Sequence, residues 1–124
     1  MARQGFPKSY RLLKRPEFLL VYSEGTPYRN AGFHLFRLAR AESGLLRLGL
    51  TVSRSAGPSV ARNRLRRWAR ESFRLRRDKM VTGYDVVMNF HRSLAAKTRP
   101  EFDRLLEDIW RKAGLLHEGP RQEG

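Results

Sequence analysis

Arginines dominate the middle of this chain, in the segment from Ser59 to Lys79. Between Arg62 and Arg77 there are eight arginines and a single acid, Glu71, so 16 residues carry +7 of the formal net charge of +14. A guanidinium group binds phosphate oxygens through two parallel hydrogen bonds and stacks on bases. Each phosphate that is neutralised also releases condensed counterions. The segment is therefore predicted to bind a polyanion, and its side chains favour a nucleic acid.

The spacing of these arginines predicts an amphipathic α-helix. Successive helical residues are rotated by about 100°, so residues three and four apart share a side. The cationic side is predicted to carry Arg62, Asn63, Arg66, Arg67, Arg70, Arg74 and Arg77. The opposite side, which is expected to pack on a core, carries Ala61, Leu65, Trp68, Ser72 and Leu75. Phe73 is expected near the edge of the cationic side. The alternative for that side is a solvated helix face, although such faces usually mix both signs of charge.

The composition indicates a folded, basic domain. The 124 residues are expected to form one domain over 1–124, with 1–9 and 115–124 flexible, and 40% apolar residues can supply a core. The chain has no cysteine, which excludes disulfides and thiolate metal sites and favours a reducing compartment, here the cytoplasm. No segment approaches the roughly 20 apolar residues of a membrane span. The charge favours nucleic acid as the partner over an anionic membrane.

Apolar periodicity along the chain predicts an α+β fold. The segment over 46–53 alternates apolar and small or polar residues, which is typical of a strand with one buried face. The last third carries apolar residues three and four apart, which is typical of a helix. The predicted elements are a helix over 16–24, strands over 33–40, 46–53 and 85–91, a turn over 41–44, the arginine helix and a last helix over 98–113.

Capping residues mark the ends of the predicted helices. Gly25 is expected at the C′ position of the first helix, and Ser59 is the expected N-cap of the arginine helix. Residues 98–101 read Thr-Arg-Pro-Glu, a capping box for the last helix, and Gly114 is expected to end it.

The order α-β-β(-β)-α-β-α predicts a two-layer α+β sandwich, with the later helices on one face of the sheet. Trp68 and Trp110 are expected in the core between the layers. The other face of the sheet would then stay open or be partly covered by the first helix. Phe18 and Tyr22, one helical turn apart, could form a wall of that open surface.

Three blocks of the sequence carry a resemblance. The arginine segment contains Gly57-x-x-Val60-x-Arg62-Asn63-Arg64-x-x-Arg67-x-x-Arg70-x-x-Phe73. Upstream stand Arg11-Leu12 with Glu17-Phe18-x-x-Val21-Tyr22-x-x-Gly25, and Arg47-Leu48-Gly49-Leu50-Thr51-Val52-Ser53-Arg54. In this order and spacing, from about residue 11 to 112, the chain resembles the protein component of bacterial ribonuclease P. It departs from the family's pattern at Ser55-Ala56, where a second basic residue is common, at Phe90-His91-Arg92-Ser93, where a basic residue is often followed by Pro or Gly, and past Ala113.

The resemblance implies a fold and a division of labour. The fold would be the α+β sandwich of the second domain of ribosomal protein S5, with a left-handed βαβ crossover. A large RNA subunit with bound Mg²⁺ would cleave the 5′ leader from precursor tRNA. The protein would bind the leader and stabilise the active RNA, with no catalytic residue, metal site or small-molecule cofactor of its own. Its partners would be the ribonuclease P RNA and precursor tRNA, and not a membrane.

The same resemblance assigns RNA contacts to individual residues. Phe18 and Tyr22 are expected to stack on leader bases, although from sequence alone an aromatic pair at this spacing is more typical of a core. The residues expected to bind the leader are Phe18, Tyr22, Thr51 and Ser53. Those expected to bind the catalytic RNA are Arg54, Arg62, Asn63, Arg64, Arg66, Arg67, Arg70 and Arg74.

Two other functions remain open from the sequence. A ribosomal-type or general RNA-binding protein would share the charge and the α+β build. A self-contained nuclease or DNA-binding protein is disfavoured, because Glu17, Asp85 and Glu101 stand singly and a two-metal site needs clustered acids. The histidines at 34, 91 and 117 also lack ligand spacing.

Overall fold

The structure, a computed structural model, describes residues 14–40 and 44–117. The proposed flexible segment over 1–9, the Arg11-Leu12 block, residues 41–43 of the predicted turn and residues 118–124 lie outside this part. The helices are α1 (Arg15–Glu24), α2 (Ser59–Arg76) and α3 (Arg99–Lys112), and the strands are β1 (Thr26–Arg29), β2 (Phe33–Ala39), β3 (Leu46–Val52) and β4 (Tyr84–Phe90). The α+β prediction is confirmed, with β1 as the optional third strand before α2.

The four strands form one mixed sheet in the order β1-β2-β4-β3. β2 pairs antiparallel with both β1 and β4, whereas β3 and β4 pair in parallel. Parallel neighbours need a crossover connection, and α2 lies in it. The left-handed sense of this βαβ crossover stays a prediction. Because Val52 pairs with Phe90, the loops that follow β3 and β4 leave the same edge of the sheet.

The main core lies between one face of the sheet and the helices α2 and α3. Leu46, Leu48 and Val52 are buried there, and Leu50 is partly buried, as the alternation in β3 predicts. Trp110 is fully buried, and Trp68 packs against this core while remaining partly exposed. The expected placement of both tryptophans is confirmed.

α1 covers part of the opposite face of the sheet. A second, smaller cluster forms there around Val21 and Val87. Gly25 is the C-cap of α1 and not its C′ residue, and its φ of −79° lies outside the left-handed region that favours glycine at helix ends. Glycine is required for a different reason: a Cβ at this position would lie 2.5 Å from the Val21 carbonyl oxygen and 3.0 Å from that of Arg37. Its lack of a side chain lets the chain pass closely from α1 into the sheet.

The other predicted caps differ in outcome. Pro58 is the N-cap of α2 and Ser59 is its first residue, so the expected Ser59 cap is wrong by one position. The capping box of α3 is confirmed, because Thr98 Oγ1 accepts from the Glu101 amide and Glu101 Oε1 accepts from the Thr98 amide at 2.8 Å. Hydrogen bonding to the Thr98 backbone amide, and then to the Thr98 side chain, lowers the pKa of the Glu101 carboxyl. Gly114 follows α3 with φ +70°, as expected.

The chain beyond α3 folds back on the domain. Leu115 is fully buried and Leu116 is 8% exposed. The Leu115 carbonyl accepts from the Val81 amide at 2.7 Å, and Leu116 forms a β-bridge with Met80. The prediction of a flexible tail is therefore wrong for 115–116, because these two leucines complete the core next to β4.

Candidate nucleic-acid interface

α2 is rotated relative to the orientation that its arginines predict. Leu65, Ala69, Ser72 and Phe73 form its buried stripe. Phe73, expected at the edge of the cationic side, is 1% exposed, whereas Leu75, expected in the core, is 65% exposed. Both predictions are wrong, because the apolar residues four apart fix the orientation and the long arginine stems tolerate several positions around the helix.

The rotation places Asn63 and Arg67 at the centre of the solvent-facing side. Both are exposed, and the Arg67 side chain retains 60% of its accessible surface. Arg66 and Arg74 flank them and are half-buried. We call the solvent-facing residues of α2 the arginine ridge: Arg62, Asn63, Arg66, Arg67, Arg70 and Arg74.

Arg62, Arg64 and Arg66 are oriented by uncharged groups. Arg62 Nε donates to the Gly57 carbonyl at 3.0 Å, and Arg64 Nη2 donates to the Ala95 carbonyl at 3.1 Å. Arg66 Nη1 donates to Asn63 Oδ1 at 2.9 Å. Such contacts hold a guanidinium in place and leave its positive charge available to an anion.

Three carboxylates near α2 lie on the flank that faces α3. Arg76 Nε donates to Glu107 at 2.7 Å. Arg99 Nη1 lies 2.9 Å from Glu71. The hydroxyl of Ser72 donates to Asp103, also at 2.7 Å. These acids join the two helices, and Arg67 of the ridge lies 4.0 Å from Glu71. The ridge thus presents positive charge toward solvent.

Arg54 and Ser53 lie where β3 ends. Both are exposed, Arg54 begins a short 3₁₀ helix, and the Ser53 and Ser55 hydroxyls are 2.6 Å apart. The segment over 92–96, which follows β4, packs beside this turn. This end of the sheet therefore lies between the arginine ridge, on the face covered by α2 and α3, and the surface on the face covered by α1.

The surface on the α1 side contains a depression of about 420 Å³, which we call the trough. Phe18 and Tyr22 are half-buried there: they pack on the Val21 cluster and also face the opening. The Tyr22 ring meets Phe36 edge to face at 5.0 Å between centroids. Both interpretations of the aromatic pair, as core and as wall, therefore describe part of its environment. The trough is lined by Arg15, Phe18, Leu19, Tyr22 and Thr51.

A second depression has a volume of about 330 Å³. One hydrogen bond connects a residue of its lining to a residue of the trough. The Tyr22 hydroxyl donates to Asn89 Oδ1 at 2.7 Å, and Asn89 lines the second depression. The His34 ring lies 4.4 Å from the Phe36 ring, and burial, with the nearby Arg29 charge, lowers the pKa of His34. The lowered pKa favours the neutral form of its imidazole. The lining residues are Arg29, Asn30, Phe33, His34, Asn89, Phe90 and His91.

The structure brings together three of the four residues predicted to bind the leader. Phe18, Tyr22 and Thr51 share the trough, whereas Ser53 stands outside its lining, at the end of β3. His34 and Asn89 were not predicted. The period-two pattern of β2 and β4 places both residues on the face opposite the main core, which is the signal that could have indicated them.

Within residues 14–40 and 44–117, no three histidine, aspartate or glutamate side chains are grouped as metal ligands would be. Over the same ranges, no helix combines the length and hydrophobicity of a membrane span.

Comparison with known proteins identifies the family. Residues 6–114 match the family described as Ribonuclease P. The chain is 36% identical over 109 residues to the ribonuclease P protein component of Geobacillus sp. strain WCH70, covering 88% of this chain and 94% of that protein. It is 40% identical over 100 residues to that of Maridesulfovibrio salexigens, covering 79% and 80% of the two chains.

Solved structures show the same likeness in three dimensions. The RNase P protein of Staphylococcus aureus superposes with a TM-score of 0.84 at 25% identity, covering 89% of this chain and all of that one. The RNase P protein of Thermotoga maritima gives a TM-score of 0.75 at 28% identity, covering 82% and 96%. With the matching sequence blocks and the cationic helix between parallel strands, these results show that the chain belongs to the ribonuclease P protein family, the protein components of a tRNA-processing endoribonuclease.

Proposed function

We propose that this protein binds the ribonuclease P RNA through the arginine ridge and the 5′ leader of precursor tRNA through the trough. The observation that carries the proposal is the separation of two chemically different surfaces by the sheet. The ridge includes the guanidinium groups of Arg62 and Arg66, which are held by uncharged partners, and such groups suit a folded RNA backbone. The trough offers aromatic rings, which suit unpaired bases.

In this proposal the bond-breaking step, with its Mg²⁺ ions, belongs to the RNA subunit. Arginine side chains stay protonated at neutral pH and cannot accept a proton as general bases. The chain's contribution is to hold the leader and to neutralise phosphates of the RNA, which brings substrate and ribozyme together. The residues around Ser53 and Arg54 would lie where the two RNA partners meet.

Reconstitution with the cognate RNA subunit tests this function. Addition of the protein is expected to lower the Mg²⁺ concentration needed for half-maximal leader cleavage, because its cations replace part of the screening that metal ions provide. Protein without the RNA subunit is expected to leave precursor tRNA intact. An unchanged Mg²⁺ requirement would favour a general RNA-binding protein, and cleavage by RNA-free protein would contradict the assignment of chemistry to the RNA.

Tyr22→Ala is expected to weaken precursor tRNA binding by the assembled enzyme, with little effect on mature tRNA. Only the precursor has a leader, and stacking on one base contributes about 1–3 kcal/mol. Equilibrium binding of both tRNAs would measure the difference. Tyr22→Phe keeps the ring and loses only the hydrogen bond to Asn89, so it separates the contribution of stacking from that of this contact. An equal loss for both tRNAs with the alanine variant would return Tyr22 to a purely structural role.

A further inference from the structure

α1 rests on the sheet through a small apolar surface. Val21 and Val87 are the buried residues of the cluster beneath it, whereas Leu19 and Leu20 are 50% and 48% exposed. Apolar burial is non-directional, so a cluster of this size constrains the distance of the helix from the sheet better than its rotation. Hydrogen bonds are directional and can supply the missing constraint.

Two polar contacts of α1 lie on either side of Val21. Near the end of the helix, the Tyr22 hydroxyl donates to Asn89 of β4 at 2.7 Å. Near its start, Glu17 Oε2 lies 2.9 Å from Arg47 Nη1 of β3. Phe18 stands next to Glu17 in the sequence and faces the trough. Loss of the contact at Glu17 would therefore free the part of α1 that carries Phe18.

Arg47 is itself held by a buried acid of β4, Asp85. Its Nε and Nη2 atoms each donate to Asp85 at 2.8 Å, and Asp85 is 4% exposed. Arg40 Nη1 reaches the same carboxylate at 3.0 Å. The hydrogen bonds with Asp85 raise the pKa of Arg47. One planar guanidinium can thus hold an acid of the sheet with one edge and present its remaining nitrogen to α1, which a lysine could not do.

We propose that Glu17 is a positioning residue for the RNA substrate: its ion pair with Arg47 holds α1 in the rotational position on the sheet at which the trough accepts the leader. The inference rests on the proposed function of the trough. Glu17 acts through Phe18 and Tyr22 and not by contact with RNA. Its carboxylate is occupied by Arg47 on one oxygen and by the Lys14 amide, at 3.3 Å, on the other.

Glu17→Gln tests this role with little change of shape. The amide oxygen can still accept from Lys14, while the charge that binds Arg47 is lost. With the assembled enzyme, the Kd for precursor tRNA is expected to rise roughly two- to fivefold, as for a partly exposed ion pair, while the Kd for mature tRNA stays unchanged. The effect should disappear on a precursor whose leader is trimmed to a single nucleotide.

Glu24→Gln is the matched control, because it removes the same charge from the exposed last turn of α1. It is expected to leave the ratio of the two Kd values as in the unaltered protein. If Glu17→Gln behaves like Glu24→Gln while Phe18→Ala shifts the ratio, the positioning role is overturned and the leader site stands. If Phe18→Ala also leaves the ratio unchanged, the leader site itself is overturned, and the positioning role with it.

Discussion

Replacement of Arg66, Arg67 and Arg74 together with alanine is expected to weaken binding of the protein to the ribonuclease P RNA by roughly a hundredfold or more. Each side chain belongs to the solvent-facing side of α2, and Arg67 retains 60% of its accessible surface. A hydrogen bond to a charged group contributes about 1.5–3 kcal/mol. Three lost phosphate contacts would therefore exceed the effect of most single changes on this surface.

The dependence on salt distinguishes direct contacts from net charge. The slope of log Kd against log salt concentration is expected to fall by about three units, one for each phosphate contact removed. The matched control replaces Arg104, Arg111 and Lys112 of α3 with alanine. These residues are also exposed, and their replacement removes the same number of positive charges. A filter-binding titration over several salt concentrations would measure both variants. Equal slopes for the two would show that the ridge acts only through the total charge.

Local patterns predicted the elements whose signal lies within a few residues. The alternation in β3 gave the buried leucines because strand side chains repeat every two residues. The Thr98–Glu101 capping box gave the start of α3 because both of its hydrogen bonds join residues three apart. Neither depends on what the rest of the chain does, so both could be predicted from sequence alone.

The orientation of α2 could not be predicted in the same way. Arginine stems are apolar enough to lie along a core while the charged end reaches solvent or an acid. Arg76 does this: its side chain is 24% exposed, and its guanidinium is held by Glu107 of α3. A helical orientation chosen from the arginines alone therefore misses that α2 packs on both the sheet and α3. Contact with both widens the buried stripe of α2, so that it includes Phe73.

The site was predicted in part for a related reason. Resemblance to the family indicated Phe18 and Tyr22, but their partners come from distant strands. Asn89 stands 67 positions from Tyr22, and Asp85 stands 38 positions from Arg47. Hydrogen bonds across such separations depend on the register of the sheet, which no local pattern encodes. The polar contacts that hold α1 therefore emerge only with the fold.

Phe73→Ala is expected to lower the free energy of unfolding by about 3–5 kcal/mol, the cost of removing a large buried aromatic side chain. Phe73 is 1% exposed, and its ring meets that of Trp110 edge to face at 6.4 Å between centroids. Whole domains are stable by only about 5–15 kcal/mol. The variant is thus expected to be close to unfolded in the absence of RNA. Urea denaturation followed by circular dichroism, with sulfate present to screen the cations, would measure the loss.

Leu75→Ala is the control that tests the orientation of α2, because an arginine-centred wheel assigns the two residues the opposite way. Leu75 is 65% exposed, so its replacement is expected to change the free energy of unfolding by no more than about 0.5 kcal/mol. The two residues are two positions apart and therefore lie about 200° from each other around the helix. A rotation that buried Leu75 would bring Phe73 toward solvent. A larger loss of stability for Leu75→Ala than for Phe73→Ala would therefore contradict the buried stripe. It would also displace Asn63 and Arg67 from the centre of the surface offered to RNA.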